Sequence, residues 1–146
     1  MNTRMRSWQA SDGRTSLSAP RWLAQQAFRQ GDIPAVRLFA RAFCARAGIE
    51  PARLADFVLA VSESAACVTA VGPCTARVRL WLTGPRAFCE VRGDGMLRRT
   101  ARGTRPPGQA GEDEVLRRLV LWQISDHVSL ASGEDGVRVL LSMTVR

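Results

Sequence analysis

Lysine is absent from this chain of 146 residues, and all 21 of its cationic side chains are arginine. Beside abundant Ala, Gly and Val, that pattern is what a GC-rich coding bias produces, so the arginine content is not by itself a sign of a partner. The formal net charge of +8 still favours acidic partners and makes binding salt-sensitive. Guanidinium also pairs with carboxylates and phosphates in a bidentate way that ammonium does not. Long apolar runs are missing too: no stretch approaches the roughly 20 residues that span a bilayer. The opening MNTRMRSWQASDGRTSLSAP lacks the apolar core of a secretory leader. The expectation is a cytoplasmic protein with no membrane segment. No CxxC pair occurs among Cys44, Cys67, Cys74 and Cys89, and His127 is the single histidine, so zinc-site spacing is absent. Reduced, mostly buried thiols are expected, with a redox pair of Cys67 and Cys74 as the competing reading.

What is present suffices for one domain with a proper core. Residues 1–20 read as a flexible basic tail and residues 21–146 as the folded unit. Trp22 to Arg29 reads as a first strand. Asp32 is placed as an N-cap with Pro34 in the first turn of a helix whose stripe is Val36, Phe39, Ala40, Phe43 and Ala47, ending at Gly48. A second helix, Pro51 to Gly72, organises the chain. Leu54, Phe57, Val58, Val61, Ala65 and Val68 recur at three- and four-residue steps, one apolar stripe. Asp56, Ala60, Glu63 and Cys67 fall on a different face, expected to turn a carboxylate and a thiol toward a cavity.

Beyond that helix, Ala76, Val78, Leu80 and Leu82 alternate with Arg77, Arg79 and Trp81 in a strand with one buried face. Trp81, on the arginine-bearing face, is read as packing and not as a contact. A turn at 83–86 leads to an antiparallel strand over 87–92. Residues 93–113, rich in Gly, Pro and Arg, form a long lid-like loop; Arg98, Arg99, Arg102 and Arg105 on it grip phosphates, grip an acidic partner, or merely face solvent. A helix follows from Glu112 to near Asp126, its stripe assigned to Leu116, Leu119, Val120 and Ile124. Strands at 128–131 and 137–145 close the chain as a hairpin. The fold class expected is α+β, a two-layer sandwich of helices on one face of a largely antiparallel or mixed sheet.

Three stretches resemble a known family. FRQGDIPAVRLFARAF, ADFVLAVSESAACVTAVG and LVLWQISDHVSLASGEDGVRVLLSMTV are similar to the opening, the central helix and the closing hairpin of the GHKL (Bergerat-fold) ATPases. In the last stretch Asp126, Gly133 and Gly136 fall in register. Within that superfamily the chain looks most like the small bacterial anti-sigma-factor serine kinases. The resemblance implies ATP and Mg²⁺ as cofactors, a homodimer, and a sigma factor or a STAS-type anti-sigma-factor antagonist as partner. It implies Glu63 as catalytic base and as part of a nucleotide site with Cys67, Asp94, Gly95, Arg98 and Arg99.

The pattern also departs from the family. Cys67 stands where an asparagine ligates Mg²⁺, and a thiol is a poor ligand for that hard cation. The adenine-binding aspartate is due at Gly93, with Asp94 adjacent. The phosphate-cradling glycines are due near Val115 and Arg117. The function expected is therefore an anti-sigma-factor-like regulator that works by protein–protein binding, with ATP binding and serine kinase activity weakened or lost. An active ATP-dependent serine/threonine kinase is the alternative. A sequence-blind nucleic-acid binder is the third reading; the chain shows no recognised nucleic-acid motif.

Overall fold

The computed structural model describes residues 21–70, 75–93, 112–133 and 136–145. Along the chain run β1 (Arg21–Arg29), a short 3₁₀ turn (Gln30–Asp32), α1 (Ile33–Ala47), α2 (Pro51–Thr69), β2 (Thr75–Thr83), β3 (Arg86–Gly93), α3 (Glu112–Ile124), β4 (His127–Gly133) and β5 (Gly136–Thr144). The five strands form one sheet in the order β1-β2-β3-β5-β4, every neighbouring pair antiparallel. The architecture is α+β, as expected, and the sheet has no parallel pair. Strand β5 inserts between β3 and β4, so the passage from β3 through α3 to β4 is a split β-α-β unit.

Local chemistry explains most boundaries. Gly48 ends α1 at φ 69°, in the left-handed region a glycine enters without a Cβ penalty, and the next residue's N–H donates to the Cys44 carbonyl at 3.1 Å. Asp32 stands at the N-cap of α1, yet its carboxylate makes no cap bond. It accepts instead from the Arg29 N–H at 2.9 Å and closes the preceding turn. Gly84, at φ 57°, turns the β2–β3 hairpin. Pro51 opens α2, where its missing N–H has no intrahelical partner to lose. The stretch of Ser62, Ser64 and Thr69 stays helical although buried. Ser64 donates to the Ala60 carbonyl at 2.8 Å and Thr69 to the Ala65 carbonyl at 2.9 Å, so those hydroxyls need no outside partner.

One apolar cluster fills the space between the helices and the sheet. It holds Val36, Ala40 and Phe43 from α1, Phe57, Val61, Ala65 and Val68 from α2, and Leu121 from α3. From the sheet come Val78, Leu80, Ala87, Cys89, Val91, Val139, Leu141 and Met143. Phe43 and Phe57, with ring centroids 6.0 Å apart, lock α1 against α2.

The stripe assigned to α3 needs correction: Leu119 is 55 % exposed, whereas Leu121 is wholly buried. The stripe is rotated because α3 packs on α2 and on β4 together, with Leu121 in the core cluster and Ile124 packed against it. At the C-terminal end of α3, the Thr144 N–H and hydroxyl both donate to an Asp126 carboxylate oxygen, at 2.7 and 2.9 Å, and tie the α3–β4 corner to β5. Burial raises the Asp126 pKa, but those two bonds and the charges of Arg86 and Arg53 outweigh it and hold the carboxyl below its ordinary value.

Candidate functional site

The first candidate region lies on α2. Ten of its nineteen residues are buried, because the helix touches α1, α3 and three strands. The face that carries Asp56, Ala60, Glu63 and Cys67 is therefore divided. Asp56 is half-exposed and lies 3.8 Å from Arg53. Ala60 is fully buried. Glu63 is half-buried. Cys67, one turn further, is 7 % exposed and belongs to the same apolar cluster as Val68 and Val61. A carboxylate at the boundary of the core thus stands beside a thiol that packs in it. Gly93 ends β3 and is buried. Val115 and Arg117 lie inside α3 and not before it. Asp94, Gly95, Arg98, Arg99, Arg102 and Arg105, and Cys74 with its pairing to Cys67, lie outside the described residues.

The thiols are set up for packing. Cys44, Cys67 and Cys89 are buried. Burial raises the Cys44 pKa to about 11. Burial, and then the neighbouring Glu90 carboxylate, push Cys89 higher still. A thiol that resists ionisation is neither a nucleophile nor a ready metal ligand at neutral pH. Among the described residues no three His, Cys, Asp or Glu side chains converge as a metal site.

A second region is assembled by the sheet on the face opposite the helices. Strand alternation turns Arg77, Arg79 and Trp81 of β2, Phe88, Glu90 and Arg92 of β3, and Arg138 and Leu140 of β5 to that side. Pairing then lays them in rows. Arg77 faces Arg92, which faces Arg138; Gln25 faces Arg79, which faces Glu90, which faces Leu140; Trp81 faces Phe88. The two rings stack at 5.3 Å between centroids and 3° between planes, and with Leu140 they make a small second apolar cluster. The Arg79 guanidinium sits 5.8 Å above the Trp81 ring.

Glu90 is the centre of this face. It is 4 % exposed, a rare state for a carboxylate, and it is held from two sides. Arg138 donates from Nε to Oε2 at 2.8 Å, its Nη2 forms an ion pair with the same oxygen at 2.5 Å, and Arg79 Nη1 lies 3.6 Å from Oε1. Sequence reading missed Glu90, Arg92 and Arg138 as a group. The alternation in RVRLW and FCEVR shows which side each residue takes. It does not show that residue 138 meets residue 90, because that needs the β3–β5 register.

No protein-family model matches the chain, and no curated protein matches it.

Proposed function

We propose that the chain is an anti-sigma-factor-like regulator of transcription that acts by protein–protein binding, with nucleotide chemistry weakened or lost. The observation that carries this reading is Cys67. Where the family resemblance implies a Mg²⁺-ligating oxygen, this chain has a thiol 7 % exposed in an apolar cluster. A hard cation takes oxygen ligands, and this position offers none. Order of elements supports the scaffold half of the reading: strand, two helices, hairpin, helix, hairpin follow one another as the resemblance implies. Surface chemistry supports the binding half. Leu38 on α1, Leu59 on α2, and Leu119 and Trp122 on α3 are 69, 41, 55 and 51 % exposed. Leu119 and Trp122, three residues apart, lie on one face of α3.

The alternative, an active serine/threonine kinase, keeps one supporting observation: Glu63 is half-buried on α2, a reachable position for a base. Titration calorimetry with Mg·ATP at millimolar concentration separates the two, together with co-elution of the purified chain with sigma factors and STAS-type antagonists. The expected result is no heat with nucleotide and a stable complex with one partner. Nucleotide binding with serine phosphorylation of an antagonist overturns the first reading in favour of the second. Absence of any complex removes both.

A further inference from the structure

We propose that the sheet face opposite the helices holds a binding site for a phosphate group, built by Arg77, Arg92 and Arg79 around the buried Glu90. This goes beyond the regulatory reading, which rests on α2 and the helical surface. The residues surround a cleft of about 330 Å³ that is open to solvent and lined by Gln25, Arg77, Arg79, Glu90 and Arg92.

The charge in the cleft does not balance. Among the described residues, four arginines (77, 79, 92 and 138) meet one carboxylate, Glu90, which leaves three positive charges on adjacent strands. Like charges directly opposite on a sheet are unfavourable, and Arg77 faces Arg92 while Arg92 faces Arg138. Among the described residues neither Arg77 nor Arg92 has an acidic partner, and both are exposed. A bound anion relieves that repulsion.

Glu90 acts as a positioning residue. Its Oε2 accepts a hydrogen bond from Arg138 Nε and pairs with Arg138 Nη2 by charge, and its Oε1 accepts no hydrogen bond and draws Arg79 by charge alone. A carboxylate this deeply buried fixes guanidinium groups that would otherwise sample many rotamers. The Trp81 ring adds a cation–π contact to Arg79. Of the two guanidinium groups that Glu90 holds, that of Arg79 lines the cleft beside Arg77 and Arg92.

Phosphate fits this array better than a carboxylate. It brings up to two negative charges and three terminal oxygens, enough to take bonds from several guanidinium forks at once. The cleft is larger than one phosphate, so it has room for part of the molecule that the phosphate belongs to. That molecule is a small phosphate ester or the backbone of a single nucleic-acid strand, and the probes below tell these apart.

The test compares two double variants of the full chain at low salt. One, Arg77→Ala with Arg92→Ala, empties the cleft. The other, Arg37→Ala with Arg41→Ala, removes the same charge from the exposed side of α1. Probes are pyrophosphate, ribose 5-phosphate, labelled (dT)₁₂ and a poly-glutamate peptide. Binding of a phosphate probe is expected to weaken about tenfold or more in the cleft variant and less than about twofold in the α1 variant. Loss with pyrophosphate or ribose 5-phosphate assigns a small ester; loss with (dT)₁₂ alone assigns a strand. An equal fall in both variants, poly-glutamate binding as tight as the phosphate probes, or no binding of any probe overturns the proposal. All four positions are exposed and Arg77 opposes Arg92, so neither variant is expected to melt below the wild type, which circular dichroism checks.

Discussion

The two faces of the sheet are built from the same three strands and obey opposite rules. Toward the helices, Val78, Leu80, Val91, Cys89, Val139 and Leu141 meet α1, α2 and α3 in one apolar cluster. Apolar side chains of the right volume serve there, because dispersion and exclusion of water depend little on direction. On the other face, Arg79, Glu90 and Arg138 are held by direction and charge, with apolar support from Trp81, Phe88 and Leu140. A core of the first kind is written in the alternation of each strand. An arrangement of the second kind exists only when strands far apart in sequence are aligned to the residue.

The contrast can be broken at several points. Thiol chemistry gives the largest expected effect. Cys44 and Cys89, buried in the helix-side core with raised pKa values, should react with a maleimide or a disulfide reagent at neutral pH only through unfolding. Their labelling is expected to be slower than that of the denatured chain by roughly a thousandfold or more, and mass spectrometry after timed quenching measures it. Rapid labelling in the native state would show that this face is not a closed core.

Next in size is Phe57→Ala, which removes a fully buried ring from the α1–α2 contact. It should cost about 3–5 kcal/mol, read from urea denaturation at constant m-value. On the opposite face, Glu90→Ala should cost about 2 kcal/mol, less than for a wholly buried ion pair, because Arg138 and Arg79 are 25 and 42 % exposed and recover water. Glu90→Leu should be milder than Glu90→Ala, since packing replaces charge. If Glu90→Ala instead destabilised as much as Phe57→Ala, the ion pair would be as central to the fold as the core, and the two faces would not differ as argued.

Asp126 tests the edge where the faces meet. Its pKa is depressed, so its contribution is present above the ordinary carboxylate value of 3.8 and is lost as pH falls through the folded value. Asp126→Ala should lower stability by about 1 kcal/mol at neutral pH, discounted for an exposed carboxylate, through loss of the two Thr144 bonds. The gap in melting temperature between wild type and variant should be constant from pH 7 to about 5 and close below 3.8. A gap that survives at low pH would mean that the loss is one of packing. The smallest effect is expected for Leu38→Ser, at 69 % exposure, which should change stability by less than about 0.5 kcal/mol while weakening any complex formed by the helical surface.

How much was legible varied with how local the cause is. The apolar stripe of α2 was read correctly because Phe57, Val61, Ala65 and Val68 repeat at the helical period, and that period survives any packing. The stripe of α3 was misread at Leu119. VLRRLVLWQI offers apolar residues on more than half the circumference, and periodicity alone does not choose among them. On α2, Ala60 and Cys67 were grouped with Glu63 by spacing, yet their burial depends on how closely α1, α3 and the sheet approach that side.

The sequence by itself determined the elements. Pro51 and Gly48 set helix ends, Gly84 set a turn, and two-residue alternation in β2 and β5 set which side chains face inward, all through interactions within a few residues. Only tertiary structure decided that β5 lies between β3 and β4, that Leu121 and not Leu119 seals α3, and that Arg138 reaches Glu90 from 48 residues away. The reason is range. Backbone preferences act along the chain, whereas charge pairing and close packing act through space, and strand register is what converts one into the other.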